Sequence, residues 1–455
     1  MQKFTLTTLL LFFGLITLKA QTDSAAAEDK DEGKLTLGGY IDSYYLHAFN
    51  NPSSGNLMGT TANGFPTGGL TGAGRAFDRL ADQFALGLVQ IKAMYSNKKS
   101  DMVIDLTFGP NAELGNFGNQ RAMPVPAGGT STYATGYFPS NGNQSMLYNT
   151  SAAIKQAYFT YKATSKLSFT MGQFGTHVGY EVIDAPVNYN YSLSNLFNNG
   201  PFYHIGAKAN YAFSDKIGLM VGLVNNWDAL TDWKKQKSVI AQLFINPIHK
   251  WNIYLNYIGG HNDDGFKSQY GTVIAGAPVG PTSGQDLVNN VAYSNIFGTT
   301  NYNRNLFDLT TGWQVTSKLY FGLNAAYGFY TINTGNNDTL STYINKTFGS
   351  HSPKWGGVAL YSNYQITDWL GIGARYEHFD DRHQVRYIGA VNNSITITAP
   401  ITLATGHLIL KPEFRFDSSP TANSNGGVTY YYYEGPNGQT RKTQTTLGLA
   451  VIFKY

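Results

Sequence analysis

The sequence predicts an all-β chain, a transmembrane antiparallel β-barrel of about 16 strands with short periplasmic turns and long extracellular loops. Three observations predict it. The chain opens on an export signal. It is poor in charge, yet beyond that signal it has no apolar run long enough for a spanning helix. And its alternating segments are joined by connections that are short and long in turn.

The export signal is residues 1–20. Lys3 supplies the positive start, Leu6–Leu18 is almost entirely apolar, and Leu18-Lys19-Ala20 puts a small residue at the cut before Gln21. Lys19 comes too soon for an anchoring helix, which needs about 20 apolar residues. Residues 21–34 are small and acidic and read as a flexible leader, leaving 35–455 for the barrel. With no cysteine there is no disulfide framework, thiol nucleophile or cysteine metal site.

Removing Lys3 and Lys19 takes the formal charge from +4 to +2, too small an excess for a nucleic-acid partner. Charged residues make up 13% of the chain, against about 25% in an average soluble domain. Mean hydropathy is nevertheless −0.24, with 32 Tyr, 27 Phe and 50 Gly. Strands that carry apolar residues at every second position reconcile these numbers.

The expected strands are 35–48, 79–96, 101–109, 153–163, 166–175, 201–213, 216–226, 237–246, 250–260, 304–315, 318–331, 355–366, 368–379, 393–402, 406–417 and 442–455. Five of the short turns look alike, as in Lys162–Lys166, Phe213–Lys216 and Val315–Lys318: a hairpin repeated along the chain. The faces sort cleanly. In the last strand Leu447, Leu449, Val451, Phe453 and Tyr455 alternate with Gln444, Thr446, Gly448, Ala450 and Lys454. One face would meet lipid and the other water, and the sheet must then close, because an open edge in hydrocarbon leaves backbone groups unpaired. Tyr95, Tyr161, Tyr211, Trp251, Trp369 and Tyr455 fall near strand ends, where an interfacial aromatic girdle would sit.

Charged residues on the polar faces are the pore-lining candidates. Lys411, Glu413, Arg415 and Asp417 alternate with Pro412, Phe414 and Phe416 and so project to one side. Arg375 and Glu377 do the same on an earlier strand, and Lys92, Asp105, Lys162, Lys208 and Asp308 stand singly. Their signs are mixed, so weak ion selectivity and a transverse field are expected.

With strands placed, three stretches resemble the OmpL-like β-barrel porin family of Gram-negative outer membranes: Leu37–Tyr45, the segment Gly172–Gly200 containing Tyr180-Glu181-Val182-Ile183-Asp184, and Lys411–Ser418. The resemblance implies a porin-like barrel and no particular solute. Gly172–Gly200 is the expected constriction loop, the third outer loop. It carries Tyr180, Glu181, Asp184, Tyr189 and Tyr191, with the two acids facing basic wall residues such as Arg375 or Arg415.

The function expected is passive diffusion of small hydrophilic solutes across the outer membrane. The partners are outer-membrane lipid and those solutes, and a homotrimer is the assembly general porins suggest. No cofactor or metal is expected. The alternative is a structural or adhesive barrel with an occluded pore, whose loops His261–Asn303 and Asn111–Asn149 bind an external partner. Rim catalysis would rest on Glu377–His383 or His261–Asp264, but neither spacing matches a catalytic signature and such clusters are ordinary loop chemistry. The chain is therefore not expected to be an enzyme.

Overall fold

The computed structural model describes residues 33–53, 55, 57, 75, 77–116, 149–230, 237–261, 301–333, 352–383, 386, 390–420, 423–425, 428–430 and 432–455. The expected signal peptide and nearly all of the leader lie outside these residues, as does most of the two long loops 111–149 and 261–303. No helix among the described residues is long and apolar enough to cross a membrane.

Sixteen antiparallel staves close into a barrel. They are β1 (Lys34–Ala48), β2 (Phe84–Ser96), β3 (Ser100–Phe108), β4 (Ile154–Lys162), β5 (Leu167–Gly175), β6 (Tyr203–Ala212), β7 (Ile217–Val224), β8 (Ser238–Ile245), β9 (Trp251–His261), β10 (Asn301–Gln314), β11 (Leu319–Asn333), β12 (Lys354–Gln365), β13 (Gly371–Asp380), β14 (Val391–Thr398) with its short continuation β15 (Ile401–Leu403), β16 (Leu408–Ser418) and the last strand Thr443–Lys454. Each pairs with its neighbours in sequence. The first strand closes the ring on the last, from Tyr40 opposite Lys454 to Ala48 opposite Thr446. Two short helices, α1 (Pro110–Gly115) and α2 (Asn195–Asn198), sit in connections.

Two expected strands differ in detail. Residues 79–83 lie outside β2, because Asp82 adopts a left-handed φ of 58° that breaks the pleat. The strand expected over 393–402 is split at Pro400, which has no N–H for the ladder. Pairing with β16 resumes at Ile401 opposite Leu410.

The short connections 97–99, 163–166, 213–216, 246–250, 315–318, 366–370 and 404–407 all fall at one end of the barrel. Several share one device. A threonine hydroxyl accepts the N–H three residues on: Thr164 from Leu167 (2.9 Å), Thr316 from Leu319 (3.0 Å) and Thr367 from Leu370 (3.1 Å). Such turns need no glycine, which is why their sequences look so alike. The longer connections gather at the other end.

Alternation then assigns the faces. Leu447, Leu449, Val451 and Phe453 are 39–52% exposed on the outside, while Ala450 and Ile452 are buried inside. On β13 the inward residues Gly371, Gly373, Arg375, Glu377 and Phe379 are all buried, and Ile372, Ala374 and Tyr376 between them are exposed. Of the expected girdle, Tyr161, Tyr211, Trp369 and Tyr455 are exposed at the turn end, and Trp251 stacks on Trp313.

Candidate functional site

Charged residues inside a barrel would normally be solvated. Here most are buried, and the connection 176–202 is what buries them. It leaves β5 at Gly175, and Thr176 N donates to Phe202 O at 3.1 Å, pinching the two ends together. In the next few residues it passes the inward faces of five strands. His177 Nε2 bonds Tyr257 O on β9 at 3.0 Å, and Gly179 N donates to Asp308 on β10 at 3.0 Å. Tyr180 donates to the Tyr320 hydroxyl of β11 at 2.9 Å and stacks on Tyr361 of β12, centroids 4.2 Å apart. Glu181 meets Arg375 of β13 at 2.5 Å.

Gly322 makes room for this crossing: a Cβ there would lie 2.4 Å from the Tyr180 hydroxyl. The segment then reaches the opposite wall. Asp184 lies 2.5 Å from Lys155 of β4 and accepts from Gln90 of β2 (3.0 Å) and the Tyr40 hydroxyl of β1 (3.3 Å). Asn188 staples the loop to itself through both the N–H and the C=O of Val182.

The return path lies on β13–β16. Lys411 donates to Ala185 O (2.7 Å) and to Asn188 O. Glu413 accepts the N–H groups of Tyr191 (2.7 Å) and Ser192 (3.0 Å), and the Tyr191 hydroxyl donates to Asp42 at 2.7 Å. Arg415 donates to Leu193 O at 2.9 Å, and Arg375 to Ser192 O at 2.6 Å. Ser194 caps α2 through Phe197 N, and Glu377 receives Asn195 N and Leu196 N at 2.9 and 2.8 Å.

A pattern emerges from these partners. Wall cations take loop carbonyls and wall carboxylates take loop N–H groups. An irregular segment buried inside a protein cannot satisfy its own backbone, and each buried unpaired group costs about 1–3 kcal/mol. The alternating charges of β13 and β16 supply the missing partners. Apolar contacts complete the fit, with Ile183 and Tyr191 packing against Tyr40, Leu88, Ile409 and Ile452.

All five loop candidates therefore meet the wall. Glu181 finds Arg375 as expected. Asp184 does not face an arginine; it pairs with Lys155, whose inward aim comes from a register shift opposite Asp105 and Leu106 that alternation alone does not reveal. Tyr189 stacks on Tyr320 at 5.7 Å and keeps an exposed face, as do Val182 and Val187. Of the wall candidates, Arg415 pairs with Asp417 at 2.7 Å, and Asp417 also holds Arg75 at 3.1 Å. Asp105 lies 4.0 Å from Lys92 and 3.5 Å from Lys155. Lys162 stands apart at the turn end, paired with Asp101 at 2.6 Å. Lys208 lies over the Phe174 ring at 4.3 Å. Sequence reasoning missed Asp42 and Lys155. Alternation from Tyr40 would have placed Asp42 inside.

Burial sets the ionisation of the loop's own groups. It pushes the His177 imidazole down to about 4. Burial alone would raise the Asp184 carboxyl, but the Lys155 ammonium outweighs it and holds Asp184 below the usual carboxylate range.

The rim cluster does not assemble. Glu377 points inward, whereas His378, next to it, bonds Asn393 at 2.8 Å on the other face of the wall. Asp380 is held by Arg382 at 2.7 Å, and His383 accepts Lys354 N at 3.1 Å. Among the described residues no three His, Cys, Asp or Glu side chains gather as a metal site.

Residues 34–455, the whole barrel, match the family described as "Putative beta-barrel porin-2, OmpL-like". The chain belongs to this family. That family and the closed barrel support an outer-membrane porin, a channel rather than an enzyme. Solved structures similar to the chain include OmpT of Vibrio cholerae (9% identity, TM-score 0.47, 95% of this chain and 100% of that one) and the outer-membrane channel DcaP of Acinetobacter baumannii (13%, 0.48, 95% and 100%). OmpF of Salmonella typhi, solved with daunomycin, is another (11%, 0.46, 93% and 98%). No curated protein matches the chain by sequence.

Proposed function

We propose that this protein gives passive diffusion of small hydrophilic solutes across the outer membrane, through the part of the lumen that loop 176–202 leaves open. Residues 1–20 then serve as the cleaved export signal. The observation that carries the reading is the lopsided attachment of the loop. Along β13 and β16 it buries the wall. Toward the turn end of β4–β9, polar inward side chains such as Thr160, Asn210 and Asn252 keep contact with water. Glu181 and Asp184 act as the clamps that hold the loop in place, and Tyr180, Tyr189 and Tyr191 shape its edge. A loop fixed by buried ion pairs and hydrogen bonds sizes a path without closing on each passing solute.

The test is conductance of the purified protein in a planar bilayer, alone and with Glu181→Gln and Asp184→Asn combined. Well-defined open channels are expected, with a changed unit conductance in the double variant. A silent wild-type protein would sink the reading and favour an occluded barrel whose outer loops bind a partner. Open channels unchanged by the double variant would remove the loop from the mechanism.

A further inference from the structure

The half of the lumen that keeps contact with water is nearly free of fixed charge. Across β5, β6, β7, β8 and β9 the strands hold one Asp, Glu, Lys or Arg on either face, and it is Lys208. Its side chain points inward from β6, opposite Thr170 of β5 and Gly222 of β7. Its ammonium rests over the buried Phe174 ring, and the residue taken as a whole is partly exposed. Among the described residues no carboxylate lies within ion-pair distance of it, and an aromatic face attracts a cation without neutralising it.

The neighbouring carboxylates are committed elsewhere. Asp308 is buried and takes three donors, Gly179 N, Asn256 and Asn324. Asp105 and Asp184 face Lys92 and Lys155. Lys162 is matched by Asp101. The mouth at the turn end has the same sign as Lys208: the seven short turns carry Lys98, Lys99, Lys166, Lys216, Lys250 and Lys318 against Asp215 and Asp368.

From this we infer that the open path prefers anions, and that Lys208 is the residue that sets the preference. The inference rests on the diffusion reading above and names its solute class: small inorganic or organic anions, such as chloride, phosphate or short carboxylates. A lone uncompensated charge inside a low-dielectric wall is screened less than one at the surface, so it raises the local concentration of its counter-ions. No specific solute pocket is needed for this.

The measurement is the zero-current potential across a planar bilayer holding the purified protein in a potassium chloride gradient. The wild type should give the sign of an anion-preferring channel. K208Q should bring the potential toward zero, K208E should reverse its sign, and K208R should retain it. A cation-preferring wild type overturns the inference, and so does a potential that K208E leaves unmoved while channels still open. Absence of any channel would instead overturn the diffusion reading and this inference together.

Discussion

The two halves of the barrel use the same strand alternation for different ends. From β12 through β16 and on to β1, inward side chains are buried against loop 176–202, and Arg375, Glu377, Lys411, Glu413 and Arg415 each bind its backbone. From β5 to β9 the inward side chains near the turn end are neutral, partly wetted, and interrupted only by Lys208. Density of charge on a lumen wall is thus no measure of what a solute meets. Where charge is dense it serves the loop, and where it is sparse a single cation, Lys208, faces inward over an aromatic ring.

Breaking the sealed half should have the largest effect. Arg375→Ala leaves Glu181 buried without its cation, at a cost of about 3–5 kcal/mol. Hydrogen exchange should show residues 176–202 losing protection far more than the strands, with conductance rising in parallel. Protection equal to wild type would mean that the loop is held by its apolar contacts instead.

Gly322→Val should come next, since it places carbon where the Tyr180 ring now lies. Overpacking of this kind costs about 1–3 kcal/mol. The measurement is denaturant unfolding in vesicles, and Tyr180→Ala should rescue the stability that valine removes.

Acid should loosen the loop's grip on the facing strands in a defined window. His177 is held neutral in the docked loop down to about pH 4, whereas a released histidine takes a proton near its usual value of about 6.5. Docking is therefore strongest above pH 6.5 and weakens as pH falls from there toward 4. Asp184, whose carboxyl is depressed, loses its contribution only below the ordinary carboxylate range. Protection of the loop amides, taken relative to the intrinsic exchange rate at each pH, should fall from pH 7.5 to 4.5, and His177→Gln should flatten that dependence.

The smallest effect should come from the turn end. Lys162→Ala breaks a partly exposed pair with Asp101 and should change unfolding stability by about 0–1 kcal/mol. A loss comparable to that of Arg375→Ala would erase the distinction between the halves.

Strand number, closure and the inward aim of Lys411, Glu413, Arg415 and Asp417 were all legible in the sequence, because a pleat sends alternate side chains to opposite faces whatever lies beyond them. So was the expectation that the loop's acids face basic wall residues, though not that Glu181 takes Arg375 and Asp184 takes Lys155. The site was less legible where local rules were broken. Lys155 turns inward through a register shift, Asp82 ends β2 early with a left-handed φ, and Pro400 splits β14 from β15. Each depends on a partner strand or a backbone twist that periodicity does not encode.

By itself, then, the chain's alternation and turn chemistry determined the barrel, and the order of its loops marked 172–200 as the third outer one, the expected constriction. Only the tertiary structure decided that this connection lies inside, bonded to walls that come from both ends of the sequence. Glu413 and Arg415 find Tyr191, Ser192 and Leu193 across more than two hundred residues of chain because closing the ring brings β16 and β5 around one lumen. A buried irregular backbone must be satisfied by whatever polar groups the closed wall presents, and that accounting exists only once the wall is closed.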